Sequence, residues 1–165
     1  MRPDAGLVIA SARRASVTLA VAESLTGGAL AAALTAVAGA SDVFLGGVVA
    51  YQAEVKRAVL GVPEAMLAGP GPVSEEVARA MARGVRDLLG ADIAVATTGV
   101  AGPSSHGGKP PGTVCVAAVS ADAAVSRTVH FAGGRQEVIA GAVAEALVAL
   151  VTIVTPSPRG GTSVE

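Results

Sequence analysis

The chain has 165 residues, enough for one ordinary domain and too few for two independent cores. Hydrophobic residues make up 52% of it and charged residues 15%, which excludes a disordered chain and requires most elements to bury a face. With a formal net charge of −1, 2% aromatic residues and no basic block, a general nucleic-acid groove is excluded, and no direct nucleic-acid binding is expected.

Residues 7–14 place apolar side chains at helical spacing and end on Arg13 and Arg14, and residues 16–22 (SVTLAVA) read as a short buried strand. Thr26-Gly27-Gly28 precedes an Ala-rich run to Ala38, so a helix is expected from near Thr26. Ser24 or Thr26 is its expected cap, which sets Glu23 and Ser24 at a strand-to-helix turn. Gly39-Ala40-Ser41-Asp42 breaks that helix, residues 47–51 form a second strand, and residues 52–60 are helical. Gly69-Pro70-Gly71-Pro72 is a loop. Ser74 then caps a long amphipathic helix reaching about Leu89, whose early Glu75 and Glu76 suit the positive end of its dipole. Residues 92–97 and 113–120 are strands flanking a Gly/Pro-rich loop, 99–112. A further strand covers 125–131, and Gly133-Gly134 leads into a final helix, 135–151.

Strands interleaved with helices predict an α/β fold, a three-layer α/β/α sandwich around a mixed, mostly parallel sheet. It is mixed because 113–120 and 125–131 make a hairpin. The domain is expected over residues 1–154, with 155–165 a disordered tail rich in proline and glycine. Asp4, Arg13 and Arg14 interrupt any apolar leader, and the apolar run 139–154 contains Glu145 and is shorter than a membrane span. A cytoplasmic protein with no membrane partner is expected.

Cys115 is the only cysteine, so no internal disulfide or thiolate metal cage can form, and in a strand-like run it reads as a buried, inert thiol. His106 and His130 are not spaced as a ligand pair on any helix. Neither a metal nor another cofactor is expected.

Three turns built from Gly, Ser and Thr stand at predicted strand ends: 23–28, 97–103 and 132–135. In an open α/β sheet such loops gather backbone N–H groups and helix N-termini beside one crevice. Ser41 and Lys56 are separated by a strand, and the chain is expected to fold back and bring hydroxyl and amine together, with Tyr51, the only tyrosine, between them. A desolvated lysine has its pKa lowered enough to deprotonate a serine, and such a pair needs no histidine. Lys56 is also one of two lysines in a chain that otherwise uses arginine, which cannot be a base. Each residue has an ordinary structural explanation as well: Ser41 as a helix end, Lys56 as a solvated helix lysine, Tyr51 as a strand aromatic.

A more specific signal lies in five segments. They are Ala22-Glu23-Ser24-Leu25-Thr26-Gly27-Gly28, Tyr51-Gln52-Ala53-Glu54-Val55-Lys56 with Leu60-Gly61-Val62, Val73-Ser74-Glu75-Glu76-Val77-Ala78, Thr98-Gly99-Val100-Ala101-Gly102-Pro103, and Lys109-Pro110-Pro111-Gly112-Thr113-Val114. In order and over roughly residues 5–153, the chain resembles the CinA C-terminal domain family. The resemblance implies deamidation of nicotinamide mononucleotide to nicotinate mononucleotide and ammonia. It also implies Ser41 as nucleophile, Tyr51 and Lys56 as the residues that activate it, Thr98 as an active-site hydroxyl and Arg135 as the partner of the 5′-phosphate. Glu23, Ser24, Thr26, Gly27 and Gly99, in the glycine-rich turns, are further candidate substrate contacts. Leu25 stands where many members have Cys, Ala53 where Asn is common, and Pro111 and Ser104-Ser105-His106 alter the 102–112 loop. Longer members carry a nucleotide-hydrolase-like domain ahead of this one, so the chain reads as the stand-alone form. The expected partner is a pyridine nucleotide, and the Ala- and Gly-rich surface suggests a homo-oligomer. Two other readings remain: a nucleotide-binding or competence- and damage-associated partner module without catalysis, and a Ser-His hydrolase using His106 or His130.

Overall fold

The structure, a computed structural model, describes residues 3–155. Its elements in chain order are α1 (Ala5–Ala15), β1 (Leu19–Glu23), α2 (Ala29–Thr35), a single 3₁₀ turn (Ala40–Asp42), β2 (Phe44–Val49), α3 (Ala53–Leu60), α4 (Glu64–Ala68), α5 (Glu75–Leu89), β3 (Ile93–Gly99), β4 (Thr113–Val119), β5 (Ala124–His130) and α6 (Arg135–Val154). The short helix α4 was not expected, since five residues between Pro63 and Gly69 are too few to show a helical period. The expected tail, 155–165, lies outside the described residues except for Thr155.

The helices begin where side chains can satisfy their first N–H groups. Asp4 Oδ1 accepts from the Leu7 N–H at 2.8 Å to open α1, and Ser74 Oγ accepts from the Val77 N–H at 3.3 Å to open α5. In contrast, α2 starts three residues later than expected and has no cap from Ser24 or Thr26. Its N-terminus is held by Glu23, as described below.

The sheet order is β2-β1-β3-β4-β5. β1 pairs in parallel with β2 and β3, whereas β4 runs antiparallel to both β3 and β5, so four of the five strands point the same way. This is the mixed, mostly parallel sheet expected, and the 113–131 hairpin is its source. Alternation along the strands divides the core in two. Leu19, Val21, Val95, Val114 and Val116 pack against α1, α2 and α6, while Ala20, Ala22, Ala94 and Ala96 pack against α3 and α5. Alanines on that second face let α5 lie close, and Gly84 of α5 lets α3 approach: a Cβ there would stand 2.0 Å from the Leu60 carbonyl oxygen. Helix α6 is long and apolar enough to cross a membrane by length and composition. Here it is a core helix, with Val138, Ala142, Ala146 and Leu150 fully buried against the sheet.

Candidate active site

β1 and β3 lie side by side and parallel, with Glu23 opposite Thr97, so their C-terminal ends open the crevice expected of a parallel α/β sheet. The residues after β3, the loop before α5, the start of α3 and the first residue of α6 converge there around a cleft of about 410 Å³. Tyr51, Lys56, Ser24, Gly99 and Arg135 all line it, and none of its lining residues is an Asp or Glu. A cleft with two cationic side chains and no carboxylate is built for an anion, and its volume suits a small nucleotide.

Lys56 sits in the first turn of α3 and is 3% exposed. Its amine donates to Thr98 Oγ1 at 3.0 Å and to the Pro72 carbonyl at 3.3 Å, while the Thr98 hydroxyl itself donates to Pro72 O at 2.7 Å. Neutral acceptors surround the amine in place of a carboxylate, so burial lowers its pKa from 10.5 to about 8. A neutral amine has two N–H bonds, both used here, and a lone pair that remains for a proton. The Pro72 carbonyl was not anticipated, because Gly69-Pro70-Gly71-Pro72 announces a loop but not where its carbonyl points. Gln52, which also lines the cleft, carried no signal either.

Arg135 opens α6 and donates to the Gly102 carbonyl at 2.5 Å, tying the 99–112 loop to the rim. Gly99 has no room for a side chain, since a Cβ would stand 2.5 Å from the Thr113 carbonyl oxygen. Tyr51 is 55% exposed at the mouth. His106 lines the cleft from an exposed loop, whereas His130 ends β5, away from it. Cys115 is buried on β4, and burial raises its pKa, as suits an unreactive thiol.

Two expected substrate contacts are committed elsewhere. Glu23 is 1% exposed, and its carboxylate accepts from the N–H groups of Gly28 (3.0 Å), Leu30 (3.0 Å) and Ala31 (2.8 Å). It is the anionic cap of α2, placed at the positive end of the helix dipole. Thr26 Oγ1 lies 2.8 Å from Thr97 Oγ1 in a buried hydroxyl pair that joins the α2 turn to β3. Gly27, in a left-handed turn with φ 57, provides the reversal between them rather than lining the cleft.

The expectation that the chain folds back between Ser41 and Lys56 is not met within one chain. Ser41 lies in the 3₁₀ turn before β2, beside Gly39 and Asp42, and lines a separate groove with Phe44 and Leu45. Tyr51 and Lys56 follow the other end of β2. Because β2 runs extended from Phe44 to Val49, it carries the two ends roughly 16 Å apart.

The sequence profile described as the CinA C-terminal domain matches residues 3–154. A CinA-like protein of Frankia casuarinae is 49% identical over 142 residues, which cover 86% of this chain and 33% of that protein. A CinA-like protein of Geobacter sulfurreducens is 47% identical over 76% of this chain and 31% of its own length. The chain thus spans about a third of the length of the curated relatives it matches. Among solved structures, a CinA superfamily protein from Klebsiella pneumoniae superposes with a TM-score of 0.87 at 38% identity, covering 91% of this chain and 94% of that one. The competence/damage inducible protein CihA from Agrobacterium tumefaciens gives 0.83 at 33% identity, covering 94% and 99%.

Proposed function

The chain belongs to the CinA C-terminal domain family, and from that premise we propose that it is an amidohydrolase converting nicotinamide mononucleotide to nicotinate mononucleotide and ammonia. The observation that carries this reading is Lys56: an amine buried in an acid-free cleft, with its pKa lowered to about 8. An amide needs a nucleophile stronger than a neutral hydroxyl, and an amine that is partly neutral near physiological pH can supply one by taking the hydroxyl proton.

The steps balance with water as the only co-reactant. Neutral Lys56 takes the proton of Ser24 Oγ, the serine hydroxyl in its own cleft, as that oxygen bonds to the carboxamide carbon, and the charge that develops on the amide oxygen is held by backbone N–H groups. The lysine then returns the proton to the departing nitrogen, which leaves as ammonia and a seryl ester remains. Water attacks that ester with Lys56 again as base, releasing the carboxylate and restoring the serine. Tyr51, at the mouth, steadies the proton transfer. Arg135 pairs with the 5′-phosphate through a guanidinium fork suited to phosphate oxygens. Ser41 is out of reach of Lys56, whereas Ser24, buried at the end of β1, lines the same cleft and is the serine we assign as nucleophile. A cytoplasmic location and a place in pyridine-nucleotide salvage accord with this reading.

The same separation favours one other reading, a nucleotide-binding module without catalysis. Ammonia release from nicotinamide mononucleotide separates the two: the amidase releases ammonia, and S24A and K56A do not. A parent protein that binds the nucleotide yet releases no ammonia at any pH from about 6 to 9 removes the amidase.

A further inference from the structure

One stretch of chain at the rim of the cleft has no part in the proposed reaction. From Gly99 onward the loop lines the cleft without interruption, and it ends there on Ser104, Ser105 and His106, the residues in which it departs from the family pattern. We propose that His106, with the hydroxyls of Ser104 and Ser105, forms a second grip on the 5′-phosphate in addition to Arg135, and that His106 sets the preference of this chain for the nucleotide over its riboside. The inference rests on the amidase reading and names the groups that select its phosphate.

Arg135 by itself holds a phosphate incompletely. One nitrogen of its guanidinium donates to the Gly102 carbonyl, so only the rest of the fork is left for an anion. A terminal phosphate presents three strong acceptor oxygens, and each gains from a donor of its own. The loop that Arg135 holds supplies them. Ser104 and Ser105 stand just past Gly102, and among the described residues neither hydroxyl has a hydrogen-bond partner. His106 comes next, and an imidazole donates a ring N–H in either protonation state. No carboxylate lines the cleft to compete for these donors.

The loop is fixed at both ends, so His106 is presented from a defined backbone. At the base, the Val100 N–H donates to the Thr113 carbonyl at 2.8 Å and the Gly112 N–H to the Val100 carbonyl at 2.7 Å. At the tip, His106 and Lys109 exchange backbone hydrogen bonds of 3.1 and 3.0 Å across Gly107-Gly108, whose φ values of 55 and 72 suit glycine in a two-residue turn. The tip sits against Pro72: a Cβ on Gly107 would stand 3.3 Å from Pro72 Cδ. Pro72 is also the residue whose carbonyl receives the Lys56 amine. His106 is thus carried between two anchors of the site, the Arg135–Gly102 bond and Pro72. Lys109, the other basic residue of the loop, lines a separate groove with Glu75 and Glu76, which leaves His106 as the loop's basic side chain in the cleft.

Steady-state kinetics on two substrates test the assignment. H106A should raise KM for nicotinamide mononucleotide about 3- to 10-fold, change kcat less than about twofold, and leave KM for the riboside unchanged. H106K, which returns a cation on a flexible stem, should recover most of the loss. Combining R135A with H106A should bring KM for the nucleotide up to that for the riboside. Equal effects of H106A on both substrates would assign His106 to the shape of the loop and overturn the proposal, as would no effect on either. If the parent releases no ammonia, the amidase reading fails, and calorimetric binding of the two compounds decides by itself. The parent should then bind the nucleotide more tightly than the riboside, and H106A should narrow that difference by about 3- to 10-fold. Binding of neither compound, or equal binding of both, refutes the second grip. Inorganic phosphate controls for the source of the anion: it should compete weakly with the nucleotide in the parent and less in H106A. Phosphate that binds while nucleotide and riboside bind alike would mark a site for the free ion and overturn the inference.

Discussion

Lys56 and Thr98 share one acceptor. The lysine amine donates to Thr98 Oγ1 at 3.0 Å, and both groups donate to the carbonyl of Pro72, at 3.3 and 2.7 Å. Three elements meet at this point: α3 brings the amine, β3 the hydroxyl, and the loop before α5 the carbonyl. The arrangement holds the amine by neutral partners, which favours its uncharged form and keeps it in place for a proton.

The pH dependence of turnover follows. A general base acts when unprotonated, so activity should climb with pH, reach half its maximum near pH 8, and level off above it. At pH 7 about a tenth of the lysine is neutral on this basis. A steady-state profile that falls between pH 7 and 9 with the protein still folded would show that Lys56 works as an acid or not at all.

The same burial bears on stability, with a definite sign. Below about pH 8 Lys56 is charged in both the folded and the unfolded chain, and the cost of burying the charge is fully present. Between about 8 and the ordinary value of 10.5 the folded chain has released the proton while the unfolded chain keeps it, so this contribution to stability rises with pH. Lys56→Met should therefore be inactive yet more stable by about 1–3 kcal/mol at pH 7, with the gain shrinking toward pH 10. Denaturant unfolding at the two pH values measures it, and a loss of stability at pH 7 would contradict the account.

Arg135→Ala should act on binding rather than on chemistry. Loss of a bidentate phosphate contact is expected to raise KM for nicotinamide mononucleotide about 10- to 100-fold with a smaller change in kcat, and to leave the riboside, which lacks phosphate, nearly unaffected. Equal losses on both substrates would mean that the guanidinium serves only to hold the Gly102 loop.

Glu23→Gln tests a residue whose position suggests substrate contact but whose bonds are internal. Replacing the charge with a neutral amide weakens the cap on three N–H groups at the start of α2. A stability loss of about 1–3 kcal/mol is expected, with KM changed less than twofold. A large rise in KM without a change in unfolding midpoint would return Glu23 to the substrate.

Much of this protein was determined by its sequence, because apolar spacing and Gly/Pro punctuation are local properties. The α1 and α5 helices, the 113–131 hairpin and the loops at the strand ends follow from which side chains must be buried and where the chain can turn. The chemical singularity of Lys56 was legible too, in a chain that uses arginine nearly everywhere else. Tertiary structure decided what depends on neighbours distant in sequence. The amine is desolvated because β3 and the loop before α5 close over it, and Glu23 caps α2 because the Gly27-Gly28 turn brings three N–H groups back to its carboxylate. For Ser41 and Lys56 the decisive fact was extension: β2 advances about 3.3 Å per residue and does not turn back, so residues on either side of it stand at opposite ends of the sheet.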